Sequence, residues 1–198
     1  MPHYFENPAP EARAPGQVAL TVAGRTVELA TDVGVFSRGQ LDPGTAVLLD
    51  VVPAPPAAGD LLDLGCGYGA IALWLALRSP NATVWAVDVN ERARELCAAN
   101  AAGAGAANVR VRAPGAVPAD VRFAAILSNP PIRVGKAALH ELLGTWLDRL
   151  APDGAAHLVV QKHLGSDSLH RWLGEQGWPT TRIASRRAYR VLRCAPRS

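Results

Sequence analysis

Three cysteines in 198 residues, Cys66, Cys97 and Cys194, are too few and too scattered for a disulfide framework, and no C-x-x-C pair offers a thiolate zinc site. They are expected to be reduced and structural. Long apolar runs are lacking as well. The opening residues, MPHYFENPAPEARAPG, carry prolines and charges where a signal peptide needs an uninterrupted apolar stretch, and no later run approaches membrane-spanning length. A cytoplasmic location is the resulting expectation. His140, His157, His163 and His170 lack metal-ligand spacing, so no metal is expected. Acidic side chains are absent after Glu175, whereas Arg182, Arg186, Arg187, Arg190, Arg193 and Arg197 follow it. Net charge is only +3, so this excess is local, and a tail of that kind suits a polyanion.

With 49% hydrophobic and 19% charged residues, the chain reads as one soluble globular domain. Val18, Leu20 and Val22, then Val27 and Leu29, alternate around Ala23-Gly24 and predict a short hairpin. Asp42-Pro43-Gly44-Thr45 before AVLLDVV predicts an N-cap, a proline at the first helical position and an apolar helix. Residues 1–58 are read as an N-terminal flap, hairpin plus helix, packed on a core of residues 59–198. From residue 60, DLLDLG, TVWAVD, NVRVR, FAAILSN, GAAHLVV and two last runs near 180–185 and 188–194 alternate with helical stretches. That order predicts an α/β, Rossmann-like, doubly wound sheet of seven mostly parallel strands. Ligands of such sheets sit at the carboxyl ends of the strands, near the topological switch point. The alanine-rich AANAAGAGAAN reads as a frayed helix end and loop, and the five tryptophans read as core.

DLGCGYG, residues 63–69, follows the first parallel strand and opens a helix. Gly65, Gly67 and Ala70 loosely satisfy a dinucleotide fingerprint, with Asp88 roughly 20 residues on to hold a ribose diol. Asp63, just before the glycines, would repel a pyrophosphate but favour a ligand bearing an ammonium and a sulfonium. S-adenosylmethionine has that charge pattern. Its methionine part is expected over residues 65–69, with Gly69 a further close-approach position, and its ribose on Asp88. Cys66 has no histidine near it in sequence and is expected to pack as a small apolar residue, not to act as a nucleophile.

The apolar run at 123–128 stops on Asn129, Pro130 and Pro131. Methyl transfer from a sulfonium is an in-line displacement, and an amine conjugated to a ring or carbonyl is a poor nucleophile because its lone pair is delocalised. The side-chain oxygen of Asn129 and the carbonyl of Pro130 can each accept one N–H of such an amine and turn its lone pair toward the methyl carbon. Two prolines keep that backbone stiff. No strong base is required, since the alkylated amine is acidic. Methylation at carbon would instead need a nucleophilic cysteine here. Asn-Pro-Pro is also a plain turn that ends a strand.

On these segments the chain resembles the class I methyltransferases of the small domain type, and most closely the ribosomal RNA small subunit methyltransferase C family, which acts on guanine N2 of 16S rRNA. The resemblance runs through HYF at 3–5, TDVGVFS at 31–37, LDPGTAVLL at 41–49, LLDLGCGYG at 61–69, AVDVN at 86–90, LSNPPIRVGK at 127–136, QKHLGSDSL at 161–169 and YRVL at 189–192. It implies S-adenosylmethionine on Asp63, Gly65, Cys66, Gly67, Gly69, Asp88 and Asn129, with Asn129, Pro130 and Pro131 presenting the target amine. It further implies that Phe36, Ser37 and Thr45 belong to a flap over the cofactor, and that Ile132, Arg133 and Lys136 meet the RNA. Position 132 is Ile where many amino-methylating relatives carry an aromatic that stacks on the base. Other readings of the same residues are a methyltransferase for a protein glutamine or a small-molecule amine, and a cofactor-binding protein without activity.

Overall fold

The structure is a computed structural model in which residues 16–31 and 40–197 are described. β1 (Gly16–Val22) and β2 (Arg25–Thr31) pair as the predicted hairpin. Ala23 and Gly24 turn it with φ of 50° and 78°, two left-handed residues whose twist matches that of the flanking strands. Alternation sends Val18, Leu20, Val22, Val27 and Leu29 inward. α1 (Pro43–Val51) begins as predicted: the Asp42 carboxylate accepts the Thr45 N–H at 2.8 Å, and Pro43 stands where no donor is needed.

Seven strands form the main sheet: β3 (Ala58–Leu64), β4 (Asn81–Val87), β5 (Val109–Arg112), β6 (Phe123–Ser128), β7 (Leu150–Gln161), β8 (Thr180–Arg186) and β9 (Tyr189–Cys194). Their order is β5-β4-β3-β6-β7-β9-β8. Pairs from β5 through β7 are parallel, and β9 runs antiparallel to both its neighbours. The chain winds outward from β3 to β5 and then returns to β6 on the other side. The reversal between β3 and β6 is the switch point, and it opens the crevice at their carboxyl ends.

α2 (Ala70–Arg78), α3 (Glu91–Gly103), α1 and the hairpin cover one face of the sheet, where Leu61, Ile71, Leu73, Leu75 and Cys97 meet Leu29 and Leu48. α4 (Lys136–Leu147) and α5 (Ser166–Glu175) cover the other, over Leu62, Phe123, Leu143, Trp146 and Trp178. Because both faces are covered, β3 is apolar at successive positions, Leu61 to one core and Leu62 to the other. Trp74, Trp85, Trp146 and Trp178 are buried, as the sequence reading expects. Trp172 is half-buried and stacks on His140, ring centroids 3.7 Å apart.

The alanine-rich segment corrects its reading. α3 runs on to Gly103, and Ala101, Ala104 and Ala106 are buried, because small side chains let this end of the helix lie close to its neighbours. Asn100 in the same stretch accepts the Ala30 N–H at 2.8 Å and donates to the carbonyls of Ala30 and Tyr68 at 2.9 and 2.8 Å. It ties the hairpin edge to the glycine loop. Among the described residues no helix is long and apolar enough to cross a membrane.

Candidate active site

The glycine loop joins β3 to α2 through three left-handed residues, Gly65, Gly67 and Gly69, with φ of 76°, 53° and 95°. Its backbone is held to the end of β4: the N–H groups of Gly65 and Cys66 donate to the Val87 carbonyl, and that of Gly67 to Asp88 Oδ2 at 3.0 Å. Asp88 Oδ1 accepts the Asn90 N–H at 2.9 Å. Each carboxylate oxygen keeps a lone pair for a ligand. Room above the loop exists at Gly65, where an added Cβ would meet nothing within 4 Å. At Gly69 it would meet Cys97 Sγ at 2.7 Å, so this glycine serves the approach of α3. The Cys66 thiol is buried beside the Cys97 thiol; hydrogen bonding between the two and burial push its pKa far up, which leaves only its backbone for a cofactor.

Asp63 is fully buried under this loop. Its Oδ2 accepts the Ala72 N–H at 2.8 Å in the first turn of α2, while Oδ1 has no hydrogen-bond partner. Burial lifts its pKa to about 8, against the pull of the Ala72 bond and with a further push from the Asp88 charge. A buried carboxylate oxygen without a donor fits a cationic group arriving at the loop.

The other wall of the crevice is the end of β6. Ser128 is buried and donates to the Leu64 carbonyl at 2.7 Å, locking β6 to β3. Asn129 follows, and its Nδ2 donates to Asp42 Oδ1 at 2.7 Å and to Thr45 Oγ1 at 3.1 Å. Thr45 is thus buried against Asn129. Pro131 has φ −74° and ψ 80°, an inverse γ-turn closed by the Ile132 N–H on the Pro130 carbonyl at 2.8 Å. That carbonyl keeps a second lone pair. Asp42, legible in sequence only as a helix cap, touches the site across 87 residues, and no local signal reveals it.

Ile132 is half-buried and, with Lys136, Leu139, His140, Leu164 and Gly165, lines a cavity of about 170 Å³ beyond the proline turn. Phe36 and Ser37 lie outside the described residues, as does the side chain of Arg133. The arginine tail is not one patch. Arg186 pairs with Asp50, Arg190 with Asp167, and Arg197 with Asp148 while lying 3.8 Å from the Trp178 ring centroid. Arg193 is level with His157 in mid-sheet. Arg187 shares the crevice end with exposed Lys162 and His163, since the Lys162 N–H bonds the Ala188 carbonyl beside it.

Residues 26–193 match the methyltransferase small domain family. The chain is 32% identical over 195 residues to the Bacillus subtilis protein YbxB, with 96% of each covered. It is 31% identical over 177 residues to the ribosomal RNA small subunit methyltransferase C of Shewanella amazonensis, covering 87% of this chain and 50% of that one. Among solved structures, the 16S rRNA N2 guanine methyltransferase of T. thermophilus, in complex with AdoMet and guanosine, superposes with a TM-score of 0.77 at 25% identity. That match covers 97% of this chain and 53% of the other, so the chain spans about half the length of these two rRNA methyltransferases. By sequence and by architecture, the chain belongs to the methyltransferase small domain family.

Proposed function

We propose that this chain transfers a methyl group from S-adenosylmethionine to the exocyclic N2 amine of a guanine in 16S rRNA, acting in the cytoplasm on the small ribosomal subunit. The observation that carries the reading is the rigid Asn129-Pro130-Pro131 turn at the switch point, facing a glycine loop with an unpartnered buried carboxylate. S-adenosylmethionine supplies an electrophilic methyl on a sulfonium. Asp63 Oδ1 takes its ammonium, the backbone of residues 65–67 lies under the methionine part, and the free lone pairs of Asp88 take the ribose hydroxyls. Val89, 80% exposed beside Asp88, offers an apolar surface to the adenine.

Asn129 Oδ1 and the remaining lone pair of the Pro130 carbonyl each accept one N–H of the planar amine, which frees its lone pair for in-line attack. The proton leaves to that carbonyl or to water. Exposed Lys136, Lys162, His163 and Arg187 ring the crevice and suit phosphates. The hairpin and α1 act as a flap on the core. Guanine in 16S rRNA is supported by what the two half-matching rRNA methyltransferases are named for.

Labelled S-adenosylmethionine, small ribosomal subunits and base mapping test the reading. The expected result is label on guanine N2, with Asn129→Ala lowering turnover by roughly 100-fold. Absence of transfer to any rRNA overturns the substrate. Label in protein points to the amide or small-amine reading, which Asn129 and Pro130 fit equally.

A further inference from the structure

We propose that Asp42, together with Thr45, is the positioning residue of the transfer site: it fixes the Asn129 carboxamide so that its oxygen, and not its amino group, faces the acceptor amine. The inference rests on the reading above, in which Asn129 receives that amine. A carboxamide is nearly symmetric in shape, and a half-turn about its last torsion exchanges acceptor for donor. An –NH2 presented to the substrate's own N–H would oppose binding at the moment of transfer.

The structure removes that choice. A carboxylate oxygen accepts and does not donate, so Asp42 Oδ1, 2.7 Å away, can bond only the amide nitrogen. Thr45 Oγ1 takes the second amide hydrogen at 3.1 Å, which uses both donors of Nδ2 and leaves Oδ1 as the one group for the substrate. Asp42 and Thr45 are each 7% exposed, on the buried side of the first turn of α1. That turn is itself fixed: a Cβ added at Gly44 would meet Tyr189 Cε1 at 2.9 Å and Asp42 Oδ1 at 3.0 Å. The same Oδ1 also caps the helix through the Thr45 N–H, so capping and orienting must be separated by experiment.

Asp42→Ser separates them, because serine caps a helix as well as aspartate but is too short to hold Asn129. The melting temperature is expected to stay within a few degrees and the cofactor Kd within about threefold, while kcat falls roughly 30-fold or more with little change in KM. In an Asn129→Ala background, Asp42→Ser should cost less than about twofold further, since it acts through Asn129. A second measurement needs no substrate: in ¹H–¹⁵N spectra the Asn129 side-chain amide, assigned with Asn129→Ala, is protected from exchange in the parent protein and loses protection in Asp42→Ser. Unchanged protection, or an equal loss of kcat in the Asn129→Ala background, overturns the proposal. If the parent enzyme transfers nothing to rRNA, the substrate reading falls, and the amide spectra still decide the lock.

Discussion

Complete burial leaves Asp63 with one bonded oxygen, one bare oxygen and a pKa of about 8. At neutral pH the free protein therefore holds much of this group as the acid, and a bound cation favours the ionised form. Cofactor binding at pH 7 is expected to release close to one proton, and affinity to rise between pH 6 and pH 8. Calorimetry in two buffers of different ionisation enthalpy measures the proton, and Asp63→Asn should abolish both the release and the rise. Its folded pKa lies above the ordinary carboxylate value, so the stability it contributes is complete only below about pH 4, declines from there and is lost as pH climbs through 8. Asp63, Gly65, Gly67 and Asp88 were readable from sequence because one strand-loop-helix unit and the next strand bring them together at short spacing. Asp42 was not, because its cap role accounted for it fully and its second partner stands 87 residues on.

Asn100 does for the elements what Asp42 does for the site. Three hydrogen bonds from one side chain join β2, α3 and the glycine loop. Asn100→Ala strands the Ala30 N–H and two carbonyls at a part-buried junction, at a cost of about 3 kcal/mol. A urea midpoint shift should show this, together with weaker cofactor binding, since Tyr68 belongs to the loop. Strand alternation and the Asp42-Pro43 start made the elements themselves visible. An alanine-rich stretch, by contrast, carries little hydrophobic contrast, so its packed helix end passed for a loose one. The pairing of the late arginines is likewise invisible in the sequence, because Asp50, Asp148 and Asp167, which pair with three of them, lie on elements distant in the chain.

At the scale of the molecule, His157 and Asp63 act on the response to acid with opposite signs. His157 lies mid-sheet in β7, 5% exposed, beside Leu127 and Arg193, with neither ring nitrogen hydrogen-bonded. Burial, then the Arg193 charge, lowers its pKa to about 4. The unfolded chain takes the proton first as pH falls, so the contribution of His157 is complete above about 6.5 and declines toward pH 4, by about 3 kcal/mol in full. Asp63, protonated in the folded chain and ionised in the unfolded one over the same range, gains a similar amount as pH falls. The melting temperature should therefore change little for the parent protein, rise for His157→Leu and fall for Asp63→Asn. Helix and strand alternation announced a doubly wound sheet, but not that α1 lies over β7 and β9, where the Tyr189 ring closes on Gly44. Synthesis gives that contact an order in time. A nascent chain that already carries Asp42 and Asn129 lacks the floor beneath their turn until residue 189 has emerged, so an enzyme proposed to modify ribosomal RNA has no finished site until that tyrosine has cleared the ribosome.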